Sequence, residues 1–197
     1  MTILKKNRER AKRWFLLYGD ECYAVTRFCY FAFLQCTVFR LAHHTVEYYL
    51  KAFLGASIEL ENLKKMGHHL DSLATQFEAH GGVLDEFRSI VKYIDLFERL
   101  RYPRMESFSH VAWGLPYKDF FTRFPGKMTE RVACFNLDDF DALVFQIRSQ
   151  IAVGLPWASS SELSRDSLFR DNKAFTEEDG PSKGRRVRPE RMKDAER

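Results

Sequence analysis

The chain has no apolar run long enough to cross a bilayer. Its longest uncharged apolar run, FCYFAFL at residues 28–34, is a third of the roughly 20 residues a spanning helix needs. A secretory leader is not expected either, because the basic start reaches only five apolar residues, Trp14 to Tyr18, before Gly19-Asp20-Glu21. The four cysteines, Cys22, Cys29, Cys36 and Cys134, contain no C-x-x-C pair. Without a leader they read as reduced thiols, which predicts a cytoplasmic protein with no membrane contact. No internal repeat and no convincing strand can be found.

What is present is apolar and aromatic. Hydrophobic residues make up 45% of the 197 and phenylalanine alone contributes 18, too much for a disordered chain and enough for one domain with a real core. The net charge of +4 is unevenly spread. Six Lys/Arg against Glu9 leave residues 1–13 at +5, and seven against Glu190, Asp194 and Glu196 leave residues 183–197 at +4, so the body between carries −5. Charge attraction to nucleic acid would therefore come from the ends.

Periodicity predicts helices. Phe15, Tyr18, Cys22, Val25, Cys29, Ala32, Cys36, Phe39, His43, Val46, Leu50 and Phe53 alternate steps of three and four, a single stripe expected to face inward. Cysteines spaced by seven on that stripe stack about 10 Å apart along a helix axis, so they act as small hydrophobes rather than metal ligands. No glycine or proline breaks FCYFAFLQCT, but one forty-residue helix is unusual in such a domain, and two antiparallel helices are expected. A third helix is predicted in GHHLDSLATQFEAHGG, with Leu70, Leu73, Ala74 and Phe77 inward and Gly81-Gly82 as its stop. The next buries Leu84, Phe87, Val91, Ile94 and Phe97 and ends at Pro103. Residues 104–135 read as a long aromatic connection. The last core helix starts at Asn136 as N-cap and turns Leu137, Phe140, Val144, Ile147 and Ile151 inward. The expected organisation is a bundle over residues 1–157 and a polar, largely disordered basic tail over 158–197, with a surface helix allowed in SELSRDSLFRDNKAF.

The stretch AHHTVEYYLKAFLG, residues 42–55, raises the question of a metal. A zinc protease helix needs two histidines on one face, as in H-E-x-x-H or H-x-x-E-H, and here Tyr48 stands where the inverted motif needs its second histidine. His68, His69, His80 and His110 could add a ligand only by a tertiary approach. The reading from spacing is that His43 is a polar spot in the core seam and Glu47–Lys51 an i,i+4 ion pair, with no metal and no cofactor expected.

Taken together, these motifs resemble the HEPN (higher eukaryotes and prokaryotes nucleotide-binding) family over roughly residues 8–155. Glu47 and Lys51-Ala52 on helix two, His68-x-Leu70-x-x-Leu73 on the short helix, Arg101-Tyr102-Pro103 closing the next, and Trp14 about twenty residues before helix two stand in family-like order. The resemblance implies an all-α, antiparallel up-and-down bundle of four to five helices, a turn near Phe33–Gln35, and a homodimer through faces near helix two and the last helix. It implies RNA or a nucleotide as ligand, and a toxin–antitoxin or defence setting with a small nucleotidyltransferase as partner. Nucleolytic members resemble one another in an R-x4–6-H motif on the last core helix, where Arg holds the scissile phosphate and His moves a proton. This chain offers Arg104 and His110 in RMESFSH, after Pro103 rather than on the last helix, where Arg148 has no histidine after it. A binding module is therefore the first reading, a metal-independent endoribonuclease using Arg104 and His110 the second, and a purely structural dimerisation bundle the third. Arg101 and Tyr102 could hold a phosphate and stack on a base, or simply pair with Glu98 and pack on the bundle end.

Overall fold

A computed structural model describes residues 3–97, 110–113, 132–151, 168 and 170–174. The fold is an all-α bundle. The first helix, α1 (Ile3–Phe31), turns back into α2 (Gln35–Leu54). The two are antiparallel, since Gly19 lies against Tyr49 while Thr26 lies against Thr45. The reversal falls at the turn the resemblance implied, and its chemistry explains why no glycine marks it. Phe33 adopts φ 57°, and the amides of Phe33 and Leu34 donate back to the Tyr30 and Cys29 carbonyls at 3.1 and 2.8 Å. That is the left-handed helix stop in which glycine is usual, here carried by a phenylalanine that is 76% exposed.

A short helix absent from the sequence reading, α3 (Leu60–Lys65), leads to α4 (Leu70–Ala79) and then, through a 3-10 turn at Asp85–Phe87, to α5 (Arg88–Asp95). On α4 the four residues expected inward are the four that are buried. Gly82 passes so close to the Phe77 ring that a Cβ there would lie 2.3 Å from it. Helix α6 (Leu137–Arg148) is capped as expected, with the Asn136 side chain accepting from the Asp139 amide at 2.8 Å. Gln146 of this helix and Gln150 just beyond it satisfy the backbone of Val83 with their side chains. Two strands stand in the segment read as a connection without strands: β1 (His110–Trp113) pairs in parallel with β2 (Val132–Phe135), His110 opposite Val132. Phe135 delivers its ring to the core beside Phe39 and Phe140.

The inward face predicted for α1 needs correction. Tyr18 and Val25 are exposed, Phe15 and Cys22 are half-buried, and of the stripe on this helix Cys29 alone is buried. The buried face is one residue round and holds Leu16, Gly19, Asp20, Tyr23 and Arg27. Charged residues face inward because α6 offers matching charges. Asp20 accepts from the Arg148 guanidinium at 2.8 and 3.0 Å and from the Tyr49 hydroxyl at 2.7 Å. One turn pair further on, Arg27 donates to Asp141, which also accepts from Tyr23 at 2.7 Å. Burial pushes the Asp141 carboxyl up to about 6, against the Arg27 guanidinium and the Tyr23 hydroxyl that favour its charged form.

The boundary expected at residue 157 is not the end of the packed chain. Leu168 and Asn172 are buried; Asn172 donates to the Tyr23 hydroxyl at 2.9 Å, and Arg27 donates to the Arg170 carbonyl. Among the described residues no helix is long and apolar enough to cross a membrane.

Candidate functional site

Helix α2 packs against α1, α4, α5 and α6, with His43 beside Asp95 of α5 and Glu47 beside His68, just before α4. Three residues singled out by the resemblance meet there. Glu47 Oε1 accepts from Lys51 Nζ at 2.7 Å, one helical turn on, and lies 2.9 Å from His68 Nδ1. The i,i+4 contact was legible from spacing. The His68 contact is tertiary: Gly67, at φ 68°, turns the chain between α3 and α4 so that His68 comes back over α2. Glu47 is 1% exposed and Lys51 is buried, whereas His68 is open to solvent. Burial works against the charge on Glu47, yet Lys51 and His68 together hold its carboxyl below the ordinary value.

Asp95, at the end of α5, closes the other side. Its Oδ1 accepts from the Leu70 amide at 2.6 Å, capping α4 from a distance where His69 gives no side-chain cap, and it lies 3.6 Å from His43 Nε2. Burial opposes this charge too, while His43 and the Leu70 amide hold the Asp95 carboxyl below its usual range. His43 is therefore buried in the seam as expected, with a carboxylate beside it that sequence spacing could not reveal.

A second feature lies on the outer face. Trp14 stacks on Tyr18 with ring centroids 5.7 Å apart, Tyr18 meets Tyr48 at 5.8 Å, and Tyr48 meets His44 at 6.1 Å. Trp14 is 48% and Tyr18 45% exposed. Arg10 stands one turn before Trp14 on α1, Arg40 stands one turn before His44 on α2, and both are exposed. The strip thus reads Arg, Trp, Tyr, Tyr, His, Arg across two helices, on the order of 25 Å long. Sequence reasoning took Tyr18 for core and so missed the strip. The signal was the i,i+4 series 10, 14, 18 on one helix and 40, 44, 48 on the next.

Of the remaining predicted residues, His110 begins β1 in register with Val132, a strand position rather than a loop. Arg101, Tyr102 and Arg104 lie outside the described residues. No protein-family model matches this chain, and no curated protein or solved structure matches it either.

Proposed function

We propose that this protein is a HEPN-type binding and interaction module whose ligand is RNA or a nucleotide. The observation that carries the reading is the ladder Trp14–Tyr18–Tyr48–His44, exposed at Trp14 and Tyr18 and half-buried at Tyr48 and His44, with an exposed arginine at each end. Aromatic faces accept bases without regard to sequence, and flanking guanidinium groups accept the phosphates that join them. The meeting of Glu47, Lys51 and His68 supports the HEPN-like reading of the scaffold, because two positions of one motif and a histidine 21 residues after Glu47 form one hydrogen-bonded group. The basic ends add a longer-ranged attraction that salt should screen.

The test is binding of a fluorescently labelled single-stranded oligoribonucleotide, followed by anisotropy. Trp14→Ala and Tyr18→Ala should each weaken binding about ten-fold or more, since one stacked base is worth about 1–3 kcal/mol. Removing residues 1–10 and 176–197 should weaken binding and flatten its salt dependence. A parent chain that binds no RNA, or binds it equally well after both ring substitutions, ends this reading.

A dimerisation role is a further reading, and a separate observation favours it. Beyond the ladder, Val25, Phe28, Phe33 and Leu34 are exposed and uncharged around the α1–α2 turn, a patch suited to a second copy. Light scattering separates the two: Phe28→Ala with Leu34→Ala should halve the particle mass if this patch joins two copies, and leave RNA binding by the ladder intact.

A further inference from the structure

Spacing alone argued against an ion shared by the histidine pair, but the folded chain supplies what spacing lacked. One donor atom each of His43, His44 and Glu47 lie within 4.8 Å of one another. His43 and Glu47 are buried to 1% exposure, and His44 is half-buried, so the group is closed on the core side and reachable from the His44 side. Glu47 is four residues after His43 and three after His44, the two offsets at which helix side chains meet.

The surroundings prepare these atoms for a cation. Both donors to Glu47, Lys51 and His68, engage Oε1. Its other oxygen, Oε2, is buried and accepts no hydrogen bond among the described residues. A buried carboxylate oxygen is costly to leave without a positive partner. Behind His43, the Asp95 carboxylate lies 3.6 Å from Nε2 and is itself fixed by the Leu70 amide. A carboxylate in that place orients a ligating imidazole and raises its basicity.

We propose that His43, His44 and Glu47 form a binding site for one borderline divalent transition metal ion such as zinc, held by Glu47 Oε2 and one ring nitrogen of each histidine. Two imidazoles disfavour magnesium and calcium, which take oxygen ligands, and the absence of thiolate disfavours softer monovalent copper. Lys51, on Oε1, neutralises part of the carboxylate charge and so makes the site weaker than a histidine–histidine–glutamate set without a neighbouring ammonium. The site does not depend on the RNA-binding reading, and either can fail alone.

The test uses the full chain without a histidine tag, stripped by chelator and titrated with Zn²⁺ by calorimetry, with Co²⁺ absorption reporting the coordination. Saturation at one ion per chain, with the intense visible bands of four-coordinate cobalt, is expected. His44→Ala leaves the buried pair in place and should weaken binding by more than about 100-fold, while Asp95→Asn, which can still cap α4, should weaken it about 10–100-fold. Circular dichroism on both variants checks that the bundle is intact. Absence of saturable zinc binding by the parent overturns the site. So does binding that persists in His44→Ala, which would place the ion on exposed histidines such as His69 and His80.

Discussion

Single residues carry more of this fold than their types suggest. Gly19 sits mid-helix, where alanine would normally add about 1 kcal/mol of helix stability. A Cβ there would lie 2.9 Å from two atoms of the Tyr49 ring, and that ring is held by its hydrogen bond to Asp20. Gly19→Ala should therefore destabilise, by about 1 kcal/mol or more in urea titration, because forced overlap in a fixed core costs about 1–3 kcal/mol. Phe33 runs the other way. An L-residue in the left-handed region loses about 1–2 kcal/mol, and its exposed ring recovers little, so Phe33→Gly should raise the melting temperature. A drop would mean that the ring has a packing role. Glu47 gives a signed pH effect. Its carboxyl is held below the ordinary 4.5, so its contribution is present above that pH and lost as pH falls through the lowered value. The stability gap between the parent and Glu47→Gln should be widest near neutrality and shrink below pH 4.5. A gap of constant size would show that charge on Glu47 is irrelevant.

Among the elements, legibility followed how local the determinants were. The inward residues of α4 and α6 could be read because their apolar positions repeat at helical spacing and Asn136 and the Gly81-Gly82 pair punctuate them. Helix α1 was misread by one position because the rule that charge faces water fails where a distant helix supplies the opposite charge. Nothing near Asp20 or Arg27 in sequence announces Arg148 or Asp141. The strands escaped for a related reason: four residues each, paired in parallel across a long separation, they leave no hairpin signal. The same limit applied at the candidate site, where the Glu47–Lys51 pair was visible from spacing, His68 stood out as a motif position without its contact to Glu47, and Asp95 was not visible at all. The α1–α6 seam makes a sharp prediction. Arg27→Met strands the buried Asp141 and should cost about 3–5 kcal/mol, whereas Arg27→Met with Asp141→Leu removes both charges and should recover most of the loss. A double variant no more stable than the single would mean that the seam depends on charge itself.

For the molecule as a whole, Leu168 and Asn172 belong to the packed structure. A chain ending at residue 157 loses a buried leucine and the Asn172 donor to Tyr23. Burial of one such side chain is worth about 1.5–3 kcal/mol, so calorimetry should find the melting temperature lower by on the order of 5 °C. An unchanged value would assign residues 168–174 to the surface. The crossed pairs between α1 and α6 also set a timetable for synthesis. Arg27 and Asp141 are 114 positions apart, so at about 5–20 residues per second the first charge waits roughly 6–23 s for its mate to be made. Throughout that interval α1 must keep Asp20 and Arg27 hydrated, and the hairpin it forms with α2 cannot shut its inner face. A ribosome-bound chain stalled before residue 141 should therefore be cut readily by protease within its first helix. Release of the complete chain should make that helix resistant in one step, so a helix made more than a hundred residues later is the one that lets the first become part of a core.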